Sequence, residues 1–167
     1  MKKDLTYLKD KKEAAENEKI VEFQRATMRD EQTLLDIEKT TIGLKTYSGY
    51  YQEEEIKDYI NNDVVYLIKK DGKIVGSISY EIKNKDHAYE SGLVIKPEFQ
   101  KQGLAKRAML KLLEELNNFK YVDLVVHPEN TSAVKLYKSL GFVERERKEN
   151  FYGDGEPRII MILNKEK

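Results

Sequence analysis

Two rhythms of apolar residues organise the chain beyond its first nineteen positions. Ile20-Val21-Glu22-Phe23 reads as a first strand. Thr27 then precedes Asp30, a capping-box variant with Asp in place of Glu or Gln, and a helix is predicted through about Lys39. Leu34, Leu35, Ile37 and Glu38 sit on it at mixed helical spacing. Residues 40–51 hold Gly43, Ser48 and Gly49 among Tyr47, Tyr50 and Tyr51, which predicts a loop or short helix rich in aromatic side chains. Gln52 to Asn61 reads as a second helix. Its acidic first turn, Glu53-Glu54-Glu55, suits the positive end of the helix dipole.

Val64 to Ile68 is β-branched and aromatic, and Asp71-Gly72 supplies the left-handed positions of a hairpin turn. Ile74 to Ile82 returns as the second arm. After a turn at Asn84-Lys85-Asp86, Ala88 to Ile95 forms a further strand that Pro97 ends. Then the period changes. Ala105, Ala108, Met109, Leu112, Leu113 and Leu116 recur at the spacing of an amphipathic helix. Tyr121 to Val126 reads as a buried strand. Ala133, Leu136, Tyr137 and Leu140 mark a second such helix, with Gly141 at its C-cap. Phe142 to Arg147 and Arg158 to Leu163 complete the sheet around the loop at 150–155. The pattern is α+β, with a mixed sheet and a β-α-β unit in its second half.

The first nineteen residues stand apart, since eleven of them are charged with signs mixed. They read as a solvated arm, and residues 20–167 as one domain. A chain of 167 residues is long enough to bury a core without staples. The absence of Cys excludes a disulfide framework and a thiol nucleophile, and only two His argue against a multi-His metal site. Thirty basic and thirty acidic residues cancel, so no whole-protein field gathers nucleic acid. No apolar run approaches a membrane span, and the start lacks a signal-peptide core. With a mean hydropathy of −0.71, a cytoplasmic protein without metal, membrane or nucleic-acid partner is expected; a homodimer stays open.

The stretch from Leu93 to Ala105 carries the chemistry. A strand ends, a short loop follows and a long helix starts, with Gly103 at the bend. The first amides of such a helix have no partner within it and form an anion site. The loop has no Walker ending and no dinucleotide fingerprint.

Gln100-Lys101-Gln102-Gly103-Leu104-Ala105 resembles the Q/R-x-x-G-x-G/A pattern of the GNAT family of N-acetyltransferases, with Ala105 in place of the last Gly. Asn130-Thr131-Ser132-Ala133-Val134-Lys135-Leu136-Tyr137, followed by Gly141-Phe142, resembles the family's second signature. Pro97-Glu98-Phe99 and Arg25-Ala26-Thr27 are similar to its other landmarks, so the likeness spans 20–164. It implies a mostly antiparallel sheet of about seven strands with a central splay, flanked by about four helices. It also implies acetyl-CoA as cosubstrate. The amides around Gln100, Lys101, Gln102, Gly103, Leu104, Ala105 and Lys106 would hold the pyrophosphate. The backbone of Leu93, Val94 and Ile95 would pair with the pantetheine arm, and Asn130 would hold that arm.

The implied reaction is acetyl transfer to an amine by direct attack in a ternary complex. It needs an acid for the leaving thiolate and a base for the amine. Tyr137 stands at the position of the family's tyrosine and is the acid candidate. Leu124, Val125 and Val126 occupy the strand where several members carry a glutamate, so Glu90 is the leading base. His127, Asp86, Glu81 and backbone-held water are the alternatives. Tyr47, Tyr50, Tyr51, Phe151 and Tyr152, with Glu53 to Glu55 nearby, would flank the acceptor. The acceptor is a peptide or protein N-terminus, a lysine or a small amine, and 154–161 is similar to members acting on protein N-termini. A non-catalytic acetyl-CoA sensor or interaction module would keep the same two signatures.

Overall fold

The computed structural model describes residues 21–166, so the expected arm at 1–19 and Ile20 of the first strand lie outside it. Strand β1 is Val21–Arg25. A 3-10 turn, Met28–Asp30, leads into α1, Glu31–Lys39. Then come α2 (Glu53–Asn62), β2 (Val64–Lys70), β3 (Lys73–Ile82) and β4 (His87–Ile95). The second half holds α3 (Leu104–Glu115), β5 (Tyr121–Val126), α4 (Thr131–Ser139), β6 (Val143–Lys148) and β7 (Arg158–Asn164). Every expected element within the described residues is present, with ends shifted by one or two residues.

Local chemistry sets the boundaries. Asp30 accepts the Thr27 N–H at 2.9 Å and Thr27 Oγ1 accepts that of Arg29 at 3.3 Å, the reciprocal cap the sequence predicts. Helix α2 opens the same way, because Glu55 accepts the amides of Tyr51 and Gln52 at 2.9 and 3.0 Å. Asp71 and Gly72, both with positive φ, make the β2–β3 turn.

The seven strands lie in the order β1-β2-β3-β4-β5-β7-β6. All neighbours are antiparallel except β4 and β5. That parallel pair is short: His87 faces Tyr121, Ala88 faces Val122 and Tyr89 faces Asp123. Beyond Tyr89 the two strands part, which is the splay the sequence resemblance implies. The opening starts at a bulge, since Ser79 faces Gly92 and Tyr80 faces Glu90, leaving Ser91 as the extra residue. A polar chain running from the core to the half-buried Asp63 pins it: Tyr59 donates to Ser79 at 2.5 Å, Ser79 and Ser91 hydroxyls lie 2.8 Å apart, and Ser91 donates to Asp63.

Side chains alternate across the sheet into two cores. Val65, Leu67 and Val94 meet Leu34, Leu35, Ile37, Ile56 and Tyr59 of α1 and α2. Ile68, Ile78, Val122, Leu124 and Met161 meet Ala108, Met109, Leu112, Leu116 and Tyr137 on the side of α3 and α4. Helices of nine to twelve residues are marginal alone, so this packing rather than propensity holds them. At the far edge every residue of β6 is exposed, and five of its six are charged. Among the described residues no helix is long and apolar enough to cross a membrane.

Candidate active site

The parting of β4 from β5 opens a cleft of about 550 Å³. Its walls come from β4, residues 99–101 and 103–106, the end of β5, α4, the loop after α1, Tyr152 and Arg158. Leu93, Val94 and Ile95 pair with β3 on one side only, through Ile78, Ser77 and Gly76. Their other edge borders the cleft and is free of β5, so it can take an added strand of amide-bearing ligand.

At the β4–α3 junction, Lys101 and Gly103 both adopt left-handed backbone, with φ of 62° and 75°. The first hydrogen bond of α3 runs from Arg107 N–H to the Gly103 carbonyl at 3.2 Å. The amides of Leu104, Ala105 and Lys106 therefore have no partner within the helix. A Cβ on Gly103 would meet nothing within 4 Å, so the glycine serves the backbone conformation and the space above it is open. Gln100 holds the loop by donating to the Ile95 carbonyl at 3.0 Å. Among the loop residues expected to touch cofactor, only Gln102 does not line the cleft, and its side chain accepts from Lys70 at 2.6 Å. Free amides beside Lys101 and Lys106 fit an anionic diphosphate.

Elsewhere in the same cleft lie two buried carboxyls, Glu90 and Glu38. Burial raises Glu90 to about 8, offset only by the Gly92 amide. Its Oε1 has no hydrogen-bond partner among the described residues. Burial likewise raises Glu38 to about 7, offset by the Tyr50 amide that it accepts at 3.2 Å. Tyr137 is buried on α4 and packs edge-on against Phe142 at 6.0 Å. Desolvation first, then the charge of Glu90, holds its phenol proton well above the ordinary range. Asn130 caps α4 through Ala133 N–H at 3.4 Å and also bonds the phenol of Tyr47.

His127 is closed off as a base. Its Nδ1 accepts the Glu129 N–H at 3.0 Å, which leaves the ring proton on Nε2, 2.7 Å from Glu156. His127, Glu129 and Glu156 bring ligand-type atoms within 4.8 Å of one another. A metal there would have to displace the Nε2 proton or break the Nδ1 bond, and Glu129 already pairs with Lys45. Asp86 and Glu81 lie outside the cleft wall.

Residues 28–142 match the model of the "Acetyltransferase (GNAT) family". The chain belongs to the GNAT acetyltransferase family. It is accordingly an acyltransferase enzyme. An N-alpha-acetyltransferase of Sulfurisphaera tokodaii is 26% identical over 167 aligned residues, covering 89% of this chain and 97% of that protein. A spermidine N(1)-acetyltransferase of Escherichia coli (strain K12) is 33% identical over 104 residues, 59% of this chain and 55% of its own length. A GNAT family acetyltransferase from Elizabethkingia anophelis, solved with acetyl-CoA bound, shares the fold. Its TM-score is 0.69 at 16% identity, over 86% of this chain and 97% of that one.

Within this acetyltransferase the aromatic and acidic wall of the cleft differs from the one the sequence predicts. Tyr47, Tyr50 and Tyr152 line the cleft, but Tyr51, Phe151 and Glu53 to Glu55 do not. Tyr51 bonds Thr41 at 2.7 Å, Glu55 caps α2 and Glu54 pairs with Lys57. The acidic side chain on this part of the cleft wall is instead Glu38, whose one signal is a charge on the apolar stripe of α1. Arg158 also escaped sequence reading. It is 2% exposed, pairs with Asp154 at 3.0 Å and lies over the Tyr152 ring at 5.2 Å.

Proposed function

We propose that the enzyme transfers the acetyl group of acetyl-CoA to a primary amine, foremost a peptide or protein N-terminus, by direct attack in a ternary complex. One observation carries the reading: a single cleft joins a diphosphate-type loop to two buried carboxyls that no cation among the described residues neutralises. The N-terminal acceptor is favoured because the relative matched over 97% of its length is an N-alpha-acetyltransferase.

The loop amides of 104–106 with Lys101 and Lys106 hold the diphosphate. The free edge of Leu93 to Ile95 and the amide of Asn130 hold the pantetheine arm. Acetyl-CoA supplies a thioester that an uncharged amine can attack. An alkyl ammonium, with a pKa near ~10, must first lose its proton. Glu90 takes it, directly or through one water, at the oxygen that lacks a partner. The new C–N bond forms as the C–S bond breaks, and Tyr137 gives its phenol proton to the departing thiolate. Protonated Glu90, beside Tyr137, restores the phenol, and the second proton that the nitrogen sheds as it becomes an amide leaves to solvent, which closes the proton count. Placement of two reactants in one slot removes the need for an enzyme nucleophile.

The test incubates the protein with acetyl-CoA and a panel of peptides, lysine derivatives and small amines while thiol release is followed. Release that depends on an amine, strongest with free peptide N-termini, is the expected result. Tight acetyl-CoA binding with no transfer to any acceptor overturns the enzymatic reading in favour of a sensor.

A further inference from the structure

We infer that Glu38 is the acceptor's recognition group: it receives the amine as its ammonium ion and so selects acceptors that arrive positively charged. The inference rests on the acetyltransferase reading above, and it concerns a residue separate from the proton acceptor Glu90.

Glu38 stands in the last turn of α1, on the stripe that carries Leu34, Leu35 and Ile37 into the core. Helical periodicity calls for an apolar residue there. The carboxyl is instead 5% exposed, and it lines the cleft. Among the described residues it takes part in no ion pair, and its one hydrogen-bond partner is the Tyr50 amide at 3.2 Å. A buried carboxylate with so little compensation is costly, and native proteins keep such a group where something else supplies its partner.

The surroundings are built to the same end. A Cβ on Gly49 would stand 2.9 Å from Glu38 Oε2, so the backbone of the loop after α1 lies against the carboxyl. Tyr47 and Tyr50 also line the cleft, and the charge of Glu38 adds to the proton affinity of both phenols. Tyr50 is itself fixed by Tyr59, with ring centroids 4.8 Å apart. Aromatic faces around an anion attract an organic cation twice over. Among the described residues no lysine or arginine contributes to the proton affinity of Glu38 or Glu90, which leaves the carboxyl for an incoming ammonium. Glu90 then removes a proton that Glu38 has helped to deliver.

The test reads binding, not turnover, so it stands apart from the fate of the enzymatic reading. Benzyltrimethylammonium, which cannot be acetylated, and its neutral neopentylbenzene isostere are titrated calorimetrically into wild type and Glu38→Gln. The cation is expected to bind wild type more tightly than the isostere. Glu38→Gln should weaken the cation by ~10- to 100-fold and leave the isostere unchanged. Acetyl-CoA affinity should also stay at its wild-type value. Gly49→Ala, which crowds the carboxyl, should reduce the same cation preference and serves if Glu38→Gln does not fold. A folded variant with the wild-type preference, or equal losses for cation and isostere, overturns the inference. So does a wild type that binds both alike. Failure of thiol release with an intact cation preference would instead remove only the catalytic reading.

Discussion

A Cβ on Gly76 would stand 2.1 Å from the carbonyl oxygen of Val94. No side chain fits there unless β4 moves, and β4 is the strand whose free edge borders the cleft. Gly76→Ala is therefore expected to lower stability by ~1–3 kcal/mol, the usual cost of overpacking. Acetyl-CoA affinity should fall with it, because the shifted strand presents its amides out of register. Denaturant melts and calorimetric titration of the same sample check both; wild-type values in each would show that β3 tolerates the methyl.

Gly103→Val tests the loop. The position has φ of 75°, so a β-branched residue costs ~1–2 kcal/mol in backbone strain whatever the space around it. The side chain would enter the open volume over the α3 amides. Acetyl-CoA should bind ~10-fold more weakly or worse, the equivalent of one lost charge-assisted hydrogen bond. Unchanged affinity in the folded variant would remove this loop from the cofactor site.

Tyr137→Phe separates acid from core. The ring and its edge-on contact with Phe142 are kept, so stability should change by no more than ~1 kcal/mol. Turnover should drop ~10²- to 10⁴-fold with cofactor affinity near normal. Full turnover on a good acceptor would assign Tyr137 to packing alone.

The two buried carboxyls give stability and activity opposite pH dependences. Glu38 and Glu90 sit near 7 and 8 when folded, against 4.5 for the ordinary side chain. The folded protein then binds more protons than the unfolded chain between those values. Their contribution is complete below about 4.5 and is lost as pH rises through 7 and 8. Melting temperature should fall over that window, and Glu90→Gln should flatten the upper part. Activity runs the other way, since Glu90 must ionise to accept a proton. The rise in kcat/KM through pH 8 should vanish in Glu90→Gln along with most of the turnover.

Much of the fold was legible because each element carries its own signal. The α3 stripe, the Asp71-Gly72 turn and the Gly141 cap each fix a local geometry. The cleft was legible only through its two sequence signatures, because both lie on one continuous run from Leu93 to Phe142. The acceptor wall was not. Glu53, Glu54 and Glu55 look like a binding rim, but a helix start attracts carboxylates by itself and Glu55 is used as a cap. Glu38 reaches the cleft through the packing of α1 on the sheet, a long-range relation. Arg158 is buried by a loop folding over it. The local traces, a charge on the α1 stripe and an Asp154 four residues before Arg158, do not by themselves point to the cleft.

Strand β6 ends the sheet bare on both faces, as Val143-Glu144-Arg145-Glu146-Arg147-Lys148. If a second copy laid its own β6 antiparallel alongside, a register centred on Arg145 would oppose Arg145 to itself and Glu144 to Glu146. Centred one residue on, it would oppose Glu146 to itself and Arg145 to Arg147. Like charges directly across a ladder repel, and the irregular pairing near Arg145 bends the strand further from a flat template. The alternating charges thus act as a fence around the one sheet edge nearest to β7. Edge-to-edge pairing of two copies through β6 is thereby disfavoured, which leaves the loop between β6 and β7 uncovered by such a contact.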